Sequence, residues 1–208
     1  MNAPAVSLPT ISTGELIDRY DGFLLDAYGV LVSASGALAD AAAFLQRLRD
    51  AGKPYLVVSN DASRSPATAR ARFERMGLAI AEDRILTSGM LIGDHYARAG
   101  LAGAPTIVLG TEDSRAYVRA AGGVIVPPDD DSARAVVVAD DDGYPFLDAV
   151  NNVISVLYRR LGRGQETALV LPNPDLVYPV RSGTVGITAG AIAGLIELCL
   201  RLRQPDGG

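Results

Sequence analysis

What most restricts the fold of this chain is the texture of its strands. "PYLVVSN" (54–60) and "AVVVADDDG" (135–143) are continuous apolar runs ending in polar residues, and stretches of helical period separate such runs along the chain. Strands apolar on both faces belong in a parallel sheet covered on both sides, because parallel neighbours need a long crossover that is usually a helix. The alternation therefore predicts an α/β fold. With 208 residues and 49% apolar content there is material for one large domain or two small ones.

Punctuation locates the elements. After a short apolar run at Phe23–Leu25, "ALADAAAFLQRLRDAG" places Leu38, Ala42, Leu45 and Leu48 on one helical stripe, with Gly52 as its stop. "SPATARARFERMG" offers Ser65 as N-cap, Pro66 at the first helical position and Gly77 at the close. "RILTSG" reads as a third strand leading into a helix through His95 and Ala99. A second α/β unit runs from Ile92 to Glu166: "PTIVLG", the helix "EDSRAYVRAAGG", "VIV", the turn "PPDDDS", "AVVVADDDG" and the helix "YPFLDAVNNVISVLYRRLG". The chain then resumes with "ALVLPNPDLVYP" and a final helix from Thr188 to Leu202. The expected organisation is a core of 1–91 and 167–208 interrupted by an inserted unit at 92–166.

Charge and cysteine usage remove several classes of function. A net charge of −5 argues against a nucleic-acid binder, which needs clustered basic residues to neutralise phosphates. The single cysteine, Cys199, excludes an internal disulfide and a cysteine-based zinc site and fits a reducing cytosol. "MNAPAVSLPT" lacks the basic-then-apolar pattern of a signal peptide, and "GITAGAIAGLIELCLRLR" is short and interrupted by Thr188, Glu197 and Arg201. A soluble cytoplasmic protein with no membrane segment is expected.

In open parallel sheets, ligands bind at the carboxyl ends of the strands. Here Asp26 follows the first strand, Ser59 and Asn60 the second, and Thr87 and Ser88 the third. A carboxylate, a hydroxyl and an amide at one edge, beside glycine turns that bare backbone N–H groups, would suit a phosphoryl group. Taken singly, each is as readily a turn or cap residue. His95, the only histidine, falls on a helix away from that edge. The run Asp140–Asp142, next to Gly143, reads as a solvated turn rather than a metal site.

"FLLDAYGVL", "AGKPYLVVSN", "ILTSG" and "LPNPDLVYP", in that order over residues 22–179, together resemble the haloacid dehalogenase (HAD) superfamily of phosphohydrolases. The similar branch carries a large α/β cap after the third core strand and includes sugar phosphate, nucleotide and pyridoxal phosphatase-like enzymes. The resemblance implies a Rossmann-like parallel core, an inserted cap closing over a small phosphorylated metabolite, and pairing through the cap into a homodimer. It implies Asp26 as nucleophile through an aspartyl-phosphate, Mg2+ held by the Asp26 carboxylate and the Tyr28 backbone carbonyl, and Ser59 with Asn60 binding the phosphoryl group.

Two departures qualify this expectation. Where most phosphatases of the superfamily have a second Asp as proton shuttle, this chain has Tyr28, whose ordinary pKa of about 10 suits that task poorly at neutral pH. The family's lysine and acidic strand end after the cap are also not found: Lys53, the only lysine, precedes the second strand. A slow or inactive phosphatase with part of its core lacking is the resulting expectation, and a non-catalytic phosphate-ester-binding module is the alternative. The first strand would then lie at an open apolar edge.

Overall fold

The computed structural model describes residues 10–181 and 183–201. Helix α1 (Thr13–Arg19) opens on a reciprocal cap, in which the Ser12 hydroxyl accepts from the Glu15 N–H and the Glu15 carboxylate accepts from the Ser12 N–H. Strand β1 (Phe23–Asp26) follows, and then a small hairpin of β2 (Val32–Ser33) and β3 (Gly36–Ala37). Helix α2 (Ala41–Asp50) begins later than the periodicity suggests, since Gly36 and Ala37 belong to that hairpin and Leu38 precedes the helix. Next come β4 (Tyr55–Ser59), α3 (Pro66–Arg75), with Ser65 and Pro66 in the expected capping positions, and β5 (Ile85–Thr87).

These strands form a parallel sheet in the order β1-β4-β5, with Leu25 opposite Val57 and Val57 opposite Ile85. That row packs against Leu45 and Leu48 of α2 and Phe73 of α3 in one core. Right-handed crossovers that step in one direction across a sheet put their helices on the same side. The opposite face consequently stays open among the described residues, with Leu24 75%, Val58 39% and Leu86 38% exposed, whereas a sheet covered on both sides was expected. β1 pairs with β4 alone among the described strands, as the open edge foreseen from the sequence.

The second unit contains α4 (Ile92–Ala99), β6 (Pro105–Leu109), α5 (Glu112–Ala120), β7 (Val124–Ile125), β8 (Ala135–Val138), α6 (Phe146–Gly162) and β9 (Ala168–Val170). Its parallel sheet runs β7-β6-β8-β9, with the central strands β6 and β8 buried on both faces. Val108 and Val137 pack with Tyr96 and Val118, while Ile107 and Val136 pack with Val153 and Ile192. After β9 come a hairpin of β10 (Val177–Arg181) and β11 (Thr184–Ile187), and then α7 (Ala189–Arg201).

The expected return to the core at residue 167 is corrected here. β9 pairs with β8, Val136 opposite Leu169, and Ile192, Ala193 and Ile196 of α7 join the core of the second unit. An apolar strand and an apolar helix face carry no label for the sheet they will join, so the boundary could not be read from pattern alone. Among the described residues no helix is long and apolar enough to cross a membrane.

Candidate functional site

A cleft of about 620 Å³ lies between the two units at the carboxyl end of the first sheet. Asp26, Ala27 and Tyr28 line it from the end of β1. The chain turns sharply there: the N–H groups of Leu31 and Val32 both donate to the Ala27 carbonyl, at 3.0 and 2.9 Å, and Gly29 takes φ +87°. That left-handed conformation favours glycine. Ser59, at the end of β4, lines the same cleft, and its Oγ accepts from the Asp61 N–H at 3.2 Å. Asp26 and Ser59 are therefore brought together as the sequence suggested.

The third strand end serves differently. The hydroxyls of Thr87 and Tyr117 share a hydrogen bond of 2.7 Å, and Ser88 donates to the Asn60 carbonyl at 2.7 Å. Both side chains fasten β5 to its neighbours, and neither lines the cleft. His95 is exposed on α4 and lies outside it.

Polar residues beyond Ser59 make a network that the sequence reading missed. Asp61 accepts from the Ser63 N–H and hydroxyl, at 2.8 and 2.7 Å, and pairs with Arg64 at 2.7 Å. Burial works against the Arg64 charge, yet Asp61, with help from Asp140 and Asp113, holds its pKa above the ordinary value. Arg72, from the second turn of α3, also lines the cleft. Burial first, and then the like charge of Arg64, press its pKa down. No ion pair among the described residues involves Arg72, and the Asp61 charge offsets that pressure only in part. The polar run "SNDASR" after an apolar strand was the available signal for Asp61 and Arg64.

Tyr28 and Asn60 are anchored by the segment that follows β9. The Tyr28 hydroxyl donates to the Pro179 carbonyl at 2.8 Å, and the Asn60 amide donates to both Asp175 carboxylate oxygens, at 3.3 and 3.2 Å. Asn60 lines the cleft, but its amide N–H already has a protein partner.

Asp140, Asp141 and Asp142 line the cleft from the second unit; Asp142 and Gly143 are exposed, as expected of a solvated turn, while Asp140 and Asp141 are half-buried. Burial raises the Asp140 pKa to about 6, and Asp141 beside it adds to the shift. Since an unfolded Asp titrates near ~3.9, the folded state holds this proton more tightly, and stability falls as pH rises from about 4 to about 6. Asp140→Asn should therefore raise the melting temperature at pH 7.5, with the gain shrinking as pH is lowered toward 4.5. Thermal unfolding at the two pH values checks this, and an equal gain at both would refute the assignment.

Magnesium can be tested against the donors present. Among the described residues no group of three or more His, Cys, Asp or Glu side chains is placed to hold a metal. The Asp26 carboxylate and the Tyr28 carbonyl are hard oxygen donors, and Mg2+ commonly takes one or two carboxylates, substrate phosphate oxygens and several waters. The residues fit an ion shared with a phosphate, and not a closed protein cage.

Comparison with known proteins gives a consistent result. A family model described as haloacid dehalogenase-like hydrolase matches residues 23–123. Chronophin of Bos taurus is 36% identical over 113 residues, covering 52% of this chain and 38% of its own length. Glycerol-3-phosphate phosphatase of Gallus gallus is 29% identical over 195 residues, covering 88% of this chain and 62% of its own. A possible sugar phosphatase of the HAD superfamily from Cytophaga hutchinsonii superposes with a TM-score of 0.81 at 30% identity, covering 93% of this chain and 69% of that one. A glycerol phosphate phosphatase of Mycobacterium tuberculosis, solved in complex with magnesium, shares the fold at 22% identity, with a TM-score of 0.71, and the match covers 88% of this chain and 53% of that one. The chain spans less than two thirds of the length of the curated relatives named here.

Proposed function

Because the chain belongs to the haloacid dehalogenase superfamily, we propose that it acts as a slow, magnesium-dependent phosphatase on a small phosphate monoester. The observation that carries this reading is the cleft itself, where Asp26, Ser59 and the guanidinium of Arg72 face one space. A phosphate would offset the burial cost of Arg72 further than Asp61 does and give it a charge-assisted hydrogen-bond partner.

In this mechanism an Asp26 carboxylate oxygen attacks phosphorus, the bond to the leaving oxygen breaks, and that oxygen takes a proton. Water then attacks the phosphorus of the aspartyl-phosphate, releasing inorganic phosphate and restoring Asp26. Ser59 orients the phosphoryl group by hydrogen bonding, and Arg72 balances its charge. The Asp26 carboxylate and the Tyr28 carbonyl would hold magnesium, whose charge would offset that of the phosphoryl oxygens. Asn60 acts by positioning, since it ties the loop after β4 to Asp175.

Protonation of the leaving group is the weak step. The Tyr28 phenol already donates to the Pro179 carbonyl, so its proton is committed to the scaffold. Substrates with good leaving groups, which need little protonation, should be favoured. The same bond motivates the alternative of a module that binds phosphate esters without turnover.

p-Nitrophenyl phosphate tests both readings. Release of nitrophenol is expected with magnesium chloride, to fall to background in EDTA, and to return when magnesium is restored. Saturable binding of the ester with no release would favour the binding module, and neither binding nor release would exclude both.

A further inference from the structure

A second cavity, of about 360 Å³, lies at the opposite end of the first sheet, where β4 and β5 begin. Its walls include Arg49, Lys53, Tyr55 and Arg84. We propose that this pocket is a binding site for a small, multiply charged phosphate-bearing anion, separate from the catalytic cleft.

The charge pattern carries the proposal. Three cationic side chains line the pocket and no acidic residue does. No ion pair among the described residues involves Arg49, Lys53 or Arg84, although Asp50, Glu82 and Asp83 are close to them in sequence. In a chain of net charge −5, a concave site with three uncompensated cations is where a diffusing anion would be concentrated.

The cations are also held in place. Arg84 donates to the Tyr55 carbonyl at 3.2 Å, and its guanidinium lies 5.0 Å from the centre of the Tyr55 ring. Arg49 donates to the Ala79 carbonyl at 3.0 Å and to the Gln46 amide oxygen at 2.7 Å. Each guanidinium has five N–H donors in a planar fork, so these bonds orient it and leave donors over. Lys53 adds a compact charge and has no side-chain partner among the described residues. Planar forks beside an ammonium match phosphate oxygens, and the volume exceeds what one inorganic phosphate needs.

The site does not depend on the phosphatase reading. β4 separates it from Ser59 by its whole length, about 13 Å at ~3.3 Å per residue.

Isothermal titration of the full chain with sodium pyrophosphate, without divalent metal and at two salt concentrations, provides the test. Saturable binding is expected, and its component at this pocket, weakened more than tenfold by Arg49→Gln combined with Lys53→Gln, should persist in Arg72→Gln, whereas any component that Arg72→Gln removes belongs to the cleft. Lys53→Gln alone, which breaks no hydrogen bond, should weaken it at least threefold, so the test survives if the double variant misfolds. Loss on Arg72→Gln with no loss on Lys53→Gln would assign the binding to the cleft and overturn the proposal. Absence of binding, or binding that sulfate at equal ionic strength abolishes completely, would overturn it as well.

Discussion

Replacing Asp26 by Asn should lower p-nitrophenyl phosphate hydrolysis by at least ~10³-fold, about 4 kcal/mol in the activation barrier. Asn is nearly isosteric but its amide is a poor nucleophile, so the aspartyl-phosphate cannot form at a useful rate. Because Asp26 is exposed at a strand end, stability should change by no more than about 0.5 kcal/mol. Binding of a phosphate ester should persist or tighten, because a like charge has been removed from the cleft. Steady-state kinetics beside thermal unfolding separates these effects. Activity retained in a folded Asp26→Asn protein would end the nucleophile assignment.

The opposite result is expected at Tyr28. On an alkyl phosphate, whose leaving oxygen needs a proton, Tyr28→Asp should raise turnover by about 10²-fold, since general acid–base catalysis is typically worth ~10² to 10⁴. The introduced carboxyl would protonate the leaving oxygen and then activate water. The variant forfeits the bond to Pro179, a loss of about 1 kcal/mol in stability, so the gain in rate should accompany a slightly lower melting temperature. A bell-shaped pH profile in the variant, absent from the parent, is the signature to measure. An unchanged rate with a folded protein would mean that leaving-group protonation does not limit this reaction.

The legibility of the fold and site followed from how far apart the cooperating residues stand. Asp26 and Ser59 could be found because each ends an apolar strand, and parallel pairing in register brings such ends together. Tyr28 was visible as a departure from the superfamily pattern, but its partner Pro179, 151 positions further along the chain, was not. Arg72 lies inside the helical stretch "SPATARARFERMG", where nothing in the sequence marks it off from the neighbouring arginines as a cleft residue. Asp140–Asp142 were legible as an acidic turn but not as a cleft lining, since that depends on which elements the turn is set against. The placement of β9 and α7 failed on a different ground: burial pattern identifies an apolar element, whereas its partner depends on crossover geometry.

Residues 173–179 also bear on how such proteins diversify. This short stretch holds Tyr28 through Pro179 and Asn60 through Asp175, while Tyr178 lines the same cleft as Asp141, whose charge raises the phenol's pKa. It is common to both halves of the site. A change at Tyr28 or Asn60 and a change in the wall at Asp140–Asp142 therefore meet in the same short connector, which couples them.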